Sequence, residues 1–151
     1  MKPFKYISVI LILLSISSCV NQQKKDEDQI KNTVRAYWKA VKNNDLQAYN
    51  NLIYESQNYP GVTASELNFL YKHYDIVNPK ESLLKNIKIK DTTVMFAENK
   101  QKYVQYTIVK KNDPDNLKKD LIITLMFYKP IGFNKINNPV ILENHIGWDK
   151  D

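Results

Sequence analysis

Apolar residues along this 151-residue chain keep two different periods, and the change falls just past its middle. In the first half Ile30, Val34, Tyr37, Trp38 and Val41 recur at short helical steps, which lays one apolar stripe along a helix of about four turns. Asn43-Asn44-Asp45 interrupts it, and Asp45 is suited to cap a second, shorter helix with Leu46, Tyr49, Leu52 and Ile53 on one side. After the Tyr59-Pro60-Gly61 turn, Thr63-Ala64-Ser65-Glu66 reads as a capping box, in which hydroxyl and carboxylate satisfy each other's backbone donors. The helix it opens carries Leu67, Leu70, Tyr71, Tyr74 and Val77. Asn78-Pro79 ends that helix, because the residue before a proline avoids the helical region, and Pro79 can start one further turn through Leu84.

From Ile87 the period is two. Ile87 and Ile89 alternate with Lys88 and Lys90, Val94-Met95-Phe96 forms a second short strand, and Val104, Tyr106 and Ile108 alternate with Tyr103, Gln105 and Thr107 in a third. Asn112-Asp113-Pro114-Asp115-Asn116 is a strong turn. The run from Leu121 to Tyr128 is apolar on both faces and predicts a central strand covered on both sides; Pro130 and Gly132 interrupt it. Val140 to Trp148 is the last predicted strand. Helices first and an antiparallel sheet afterwards is an α+β plan, with the helices packed on one face of the sheet.

A third pattern occupies the N-terminus. Lys2 and Lys5 precede an almost wholly apolar run, Tyr6 to Leu14, and small residues lead to Cys19. The apolar run is shorter than the ~20 residues a spanning helix needs. This charged, apolar, small-residue order is that of a secretory signal. With Cys19 closing it, the segment resembles a bacterial lipoprotein signal peptide, Ile16 to Cys19 matching the lipobox. The resemblance implies that residues 1–18 are removed and that Cys19 is lipidated and acylated. Several such chains, at ~0.8 kcal/mol per buried methylene, hold a protein to a membrane. The plainer alternative is an ordinary secretory signal in which Cys19 is incidental.

Residues 19–28 are polar and lack apolar periodicity, so they read as a tether; residues 29–151 form the domain. Lys24-Lys25-Asp26-Glu27-Asp28 also resembles a lysine-plus-acidic signal that exports some lipoproteins to the outer face of the outer membrane. Alternatively, its acidic residues sit at the positive end of the first helix. Val20, rather than the aspartate that retains some lipoproteins at the inner membrane, points to the outer membrane of a bacterial envelope.

Composition narrows the chemistry. Cys19 is the single cysteine, so no disulfide framework and no cysteine-held metal site can form. The formal charge of +6 falls to about +4 once Lys2 and Lys5 leave with the signal. Arg35 is the sole arginine, the lysines are scattered, and Gly61, Gly132 and Gly147 are the only glycines. Bidentate recognition of phosphates or guanine edges and a glycine-rich phosphate cradle are therefore not expected, and nucleic acid is not an expected partner.

The opening helix with Tyr37-Trp38, the Asn43-Asn44-Asp45 break before Tyr49, the later helices and the closing strand near Trp148 look like the NTF2-like (SnoaL-like, cystatin-like) superfamily. The resemblance implies a curved sheet around the first helix, a conical pocket between helices and sheet, and pairing into a homodimer through the exposed sheet face. Some enzymes of that class use an aspartate base with a tyrosine donor. Tyr37, Tyr49, Tyr74 and Tyr106 are available donors, but Asp45 and Asp75 do not match the catalytic positions, so the resemblance extends to fold alone.

Among individual residues, His73 reads as a solvent-facing or partly buried helix residue. In a continuous last strand Ile141, Glu143 and His145 share a face, so Glu143 could orient His145 as a general base; an exposed polar pair is the plainer alternative. Two ligands fall short of the three a catalytic zinc usually needs, and no nucleophile elbow is present. The expectation is a membrane-anchored protein without catalytic residues, metal or cofactor. It would bind a small apolar or amphipathic ligand in a pocket walled by Tyr37, Tyr74 and Trp148. The second expectation is an interaction role, as an envelope assembly factor or an immunity protein, using exposed apolar residues Phe133, Ile136 and Val140. A third is an enzyme built on Glu143 and His145.

Overall fold

The computed structural model describes residues 4–77, 84–94, 99–108, 119–137, 140–145 and 148. In chain order the elements are α1 (Phe4–Lys42), α2 (Leu46–Leu52), α3 (Pro60–Lys72), a short α4 (Tyr74–Val77), then β1 (Lys90–Val94), β2 (Asn99–Ile108), β3 (Leu121–Phe127) and β4 (Ile141–Glu143). The strands form one antiparallel sheet in the order β1-β2-β3-β4, and α1, α2 and α3 pack against it. The α+β plan is as expected.

The first stripe does what its spacing requires. Ile30, Val34, Tyr37 and Val41 of α1 are fully buried, and Trp38 is nearly so. Asn43-Asn44-Asp45 ends the helix through a left-handed residue: Asn44 has φ 51°, the Asn44 amide reaches the Val41 carbonyl at 3.1 Å and the Asp45 amide that of Ala40 at 3.0 Å. These two bonds satisfy carbonyls that the last turn would otherwise leave open. Asp45 then caps α2, its carboxylate accepting from the Ala48 amide at 2.9 Å.

Upstream, α1 is longer than expected. The segment assigned as a tether is helical and continuous with the domain's first helix. Its polarity reflects exposure of most of its side chains, Asp26 and Glu27 being partly buried, and pairs four residues apart support it: Gln22 donates to Asp26 at 2.7 Å, Gln23 to Glu27 at 3.1 Å, and Lys31 lies 3.8 Å from Glu27. Lys129, after β3, reaches Asp26 at 3.3 Å and fixes this stretch to the sheet.

In the sheet, register separates two faces. Val104 lies opposite Leu125, Tyr106 opposite Ile123 and Ile108 opposite Leu121, which points these residues at the helices. Leu121, Ile123, Leu125 and Phe127 are fully buried there. The other face carries Tyr103, Gln105, Thr107, Ile122, Thr124 and Met126, and β4 adds Ile141 and Glu143 to it. β3 has partner strands on both edges, but it is not covered on both faces as expected: on the outer face Ile122 and Met126 are only half-buried.

Three strand assignments differ from expectation. Residues 87–89 are not in a strand; Ile87 is buried in the core while pairing begins at Lys90. The expected strand at Val94-Met95-Phe96 is the end of β1 as far as Val94, the rest lying outside the described residues, as do Asn78-Pro79 and the turn at 112–116. The last strand stops at Glu143, because Asn144 takes φ 62° and turns the chain.

The loop after β3 also corrects an expectation. Phe133, Ile136 and Val140 are buried, with Ile136 fully so. The loop folds back across the helices: the Ile136 amide donates to the Leu52 carbonyl at 2.7 Å, the Tyr54 amide to the Ile136 carbonyl at 2.9 Å, and the Thr33 hydroxyl lies 2.9 Å from the Phe133 carbonyl. Gly132 makes the reversal possible at φ 85°.

Candidate functional site

Aromatic rings fill the interior between α1, α2 and β2. Tyr37 meets Trp38 edge-on at 5.3 Å between ring centres, Tyr49 lies 5.3 Å from Tyr37, and Trp38 meets Tyr106 edge-on at 5.4 Å. Burial raises the Tyr37 and Tyr49 hydroxyls well above their ordinary range and the Tyr106 hydroxyl to about 12. The Tyr49 hydroxyl beside Tyr37 works against that rise, but the two do not meet at hydrogen-bonding geometry. Among the described residues, the Tyr37 and Tyr106 hydroxyls and the Trp38 indole N–H have no hydrogen-bond partner.

Tyr49 leads out of this interior. Its hydroxyl donates to Glu66 Oε2 at 3.3 Å. Glu66 belongs to α3, which begins four residues earlier than a Thr63 cap would place it, because Pro60 occupies the first helical position, where its missing N–H costs nothing. Thr63 is consequently inside the helix and fully buried, its hydroxyl within 3.4 Å of the Tyr59 carbonyl and 3.3 Å of the Pro60 carbonyl. The Glu66 side chain is released from any capping role. It is half-buried, and burial pushes its pKa up to about 7, with the Tyr49 hydrogen bond working in the other direction.

Glu66 opens onto a groove of about 630 Å³ between α3 and β4, lined by Gly61, Val62, Ser65, Glu66, Asn68, Phe69, Lys72, Val140, Leu142 and His145. Val62, Phe69, Val140 and Leu142 supply its apolar walls. His145 enters from the far side because Asn144 turns the chain: its ring lies 6.0 Å from that of Phe69, and its Nδ1 is 3.0 Å from the Leu142 carbonyl. A carbonyl can only accept, so Nδ1 carries the proton of that bond. The turn is held by the Asn144 side-chain amide on the Asp120 carbonyl at 3.0 Å and by the Trp148 indole on the Lys119 carbonyl at 3.2 Å.

The expected catalytic pair is therefore not assembled. Glu143 points from the outer sheet face, opposite Ile122 in register, while His145 sits against α3 on the inner side. Both are exposed, and no contact joins them among the described residues. The three expected pocket residues do not share a site either. Tyr37 is buried among Trp38 and Tyr49, Tyr74 is half-buried against the core, and Trp148 is buried with its ring 6.3 Å from His73. None of the three lines the α3–β4 groove. His73, expected at or near the surface, caps the end of α3 and is buried against Phe69 at 4.8 Å.

No protein-family model, no curated protein and no solved structure matches this chain. The site thus rests on its own geometry. Among the described residues no group of three or more histidine, cysteine or acidic side chains is placed to hold a metal ion, and no helix is long and apolar enough to cross a membrane. What sequence reading missed is Glu66, whose place in a capping-box pattern concealed it. The available signal was Pro60, since a proline at the first helical position moves the helix start upstream of Thr63.

Proposed function

We propose that this is a lipid-anchored, non-enzymatic protein of the bacterial envelope that holds a small amphipathic ligand in the α3–β4 groove. The single observation behind it is the groove itself. Its volume of about 630 Å³ suits a small organic molecule, and it sets apolar side chains from two sides, Val62, Phe69, Val140 and Leu142, beside polar ones, Ser65, Glu66, Asn68, Lys72 and His145, a mixed lining that matches an amphipathic occupant. The N-terminal order of charges, apolar run and small residues before Cys19 supports the anchor, and the sequence of helices followed by an antiparallel meander supports an NTF2-like plan. An interaction role loses its motive, because the apolar loop that would have carried it is buried.

Ser65 is exposed on the lip of the groove, so S65W plugs it without disturbing the core. The test is mass spectrometry of small molecules that copurify with the detergent-extracted full chain. An amphipathic compound enriched with the parent and lost from S65W is the expected result. Identical small-molecule content in the two would overturn the reading.

A further inference from the structure

Two polar groups of the groove, Glu66 and His145, have a common character. Along α3, Val62, Glu66 and Phe69 follow at four and three residues and form one row; Ser65, Asn68 and Lys72 form the next. Lys72 is six residues from Glu66, about 120° around the helix, and exposed at the lip. The Glu66 carboxylate accepts from Tyr49 and, among the described residues, has no cation paired with it. His145 commits Nδ1–H to the Leu142 carbonyl, so the neutral ring keeps Nε2 as an acceptor. Both groups next to the Phe69 ring therefore accept hydrogen bonds. An anionic head group would instead be set beside a half-buried carboxylate.

Building on the groove reading above, we propose that its ligand is a cationic amphiphile, a primary or secondary amine on an apolar body, with the Glu66 carboxylate as its anchor. The ammonium takes the place of the missing counter-charge, two of its N–H groups reach acceptors, and the apolar body lies along Val62, Phe69, Val140 and Leu142. Among the described residues, the titratable and charged groups around Glu66 are Tyr49 from α2, Tyr37 from α1, Lys72 on α3 and His145 after β4. Because burial holds the carboxyl near 7, the anionic form that binds an ammonium becomes dominant only on the alkaline side of neutrality.

Three probes of similar shape separate charge from shape: phenethylamine, 2-phenylethanol and 3-phenylpropanoate, titrated calorimetrically into the detergent-extracted full chain. Phenethylamine should bind at least tenfold more tightly than the alcohol and the carboxylate. Between pH 6 and pH 8 its affinity should rise about tenfold, following the ionised fraction of Glu66. E66Q keeps the acceptor for Tyr49 and removes the charge; it should lose at least tenfold in amine affinity and the pH dependence, with alcohol binding unchanged. S65W should block all three probes. If S65W blocks them while E66Q binds the amine as the parent does, the amine assignment is overturned and the groove stands. If S65W leaves binding intact, or no probe binds, both fall.

Discussion

Replacing Glu66 with glutamine should make the protein more stable, and by an amount that grows with pH. In the folded chain burial raises this carboxyl from its ordinary 4.5 to about 7. Between those two values the folded state holds a proton that the unfolded chain has released, so stability falls as pH rises through the window and levels off above about 7. The full shift is worth ~3 kcal/mol at 1.36 kcal/mol per pKa unit. Glu66 is half-buried, and the exposed part of the carboxyl is screened by water, which reduces the expected cost to about 2–3 kcal/mol. E66Q preserves an oxygen to accept from Tyr49 and titrates nowhere. Urea melts of the detergent-extracted full chain, followed by far-ultraviolet circular dichroism from pH 5 to pH 8, provide the measurement. The variant should exceed the parent by about 1 kcal/mol at pH 5 and about 2–3 kcal/mol at pH 8, a rise in melting temperature on the order of 10 °C at the higher pH. A difference that does not change with pH, or an E66Q protein less stable than its parent at pH 8, would refute the assignment of a desolvated carboxyl.

Other perturbations test separate parts of the fold. Tyr37→Phe removes a buried hydroxyl that has no hydrogen-bond partner among the described residues, so it should raise stability by ~1 kcal/mol in the same melts; a loss of that size would reveal a partner. Ile136→Ala should cost about 2–5 kcal/mol, since this fully buried side chain fastens the loop after β3 to the helices, and a change under ~1 kcal/mol would mean the loop is not packed as described. Cys19→Ala should shift the protein from the detergent phase to the aqueous phase on Triton X-114 partitioning; retention in the detergent phase would remove lipidation at this residue from the account.

What the sequence disclosed followed from local rules. The α1 stripe, the Asn43-Asn44-Asp45 break and the Asp45 cap depend on residues within a few positions of one another, and β3 announced itself through an apolar run on both faces. What it concealed depends on distant partners. Phe133, Ile136 and Val140 read as exposed because nothing near them in the chain covers them; they join a core built from elements far earlier in sequence, with Phe133 and Ile136 bonded to Thr33 and Leu52. Glu143 and His145 looked like same-face neighbours because alternation was carried through Asn144, where a single left-handed residue reverses it. Glu66 satisfied a local pattern that Pro60 had already pre-empted, and its value lies in Tyr49, seventeen positions back.

The helical character of the stretch before Ile30 changes what an anchor at Cys19 would do. Ten residues of flexible coil have a mean reach of about 17 Å, and ten residues of helix extend ~15 Å, so distance from the membrane is nearly the same in either case. The difference lies in swivel. A coil lets a domain roll and present any face to the lipid, whereas a helix continuous with the core and fastened to the sheet through Lys129 and Asp26 turns only as the whole body turns. The mouth of a groove carried on such a stalk would keep a fixed bearing toward the bilayer, like a lamp on a rigid arm.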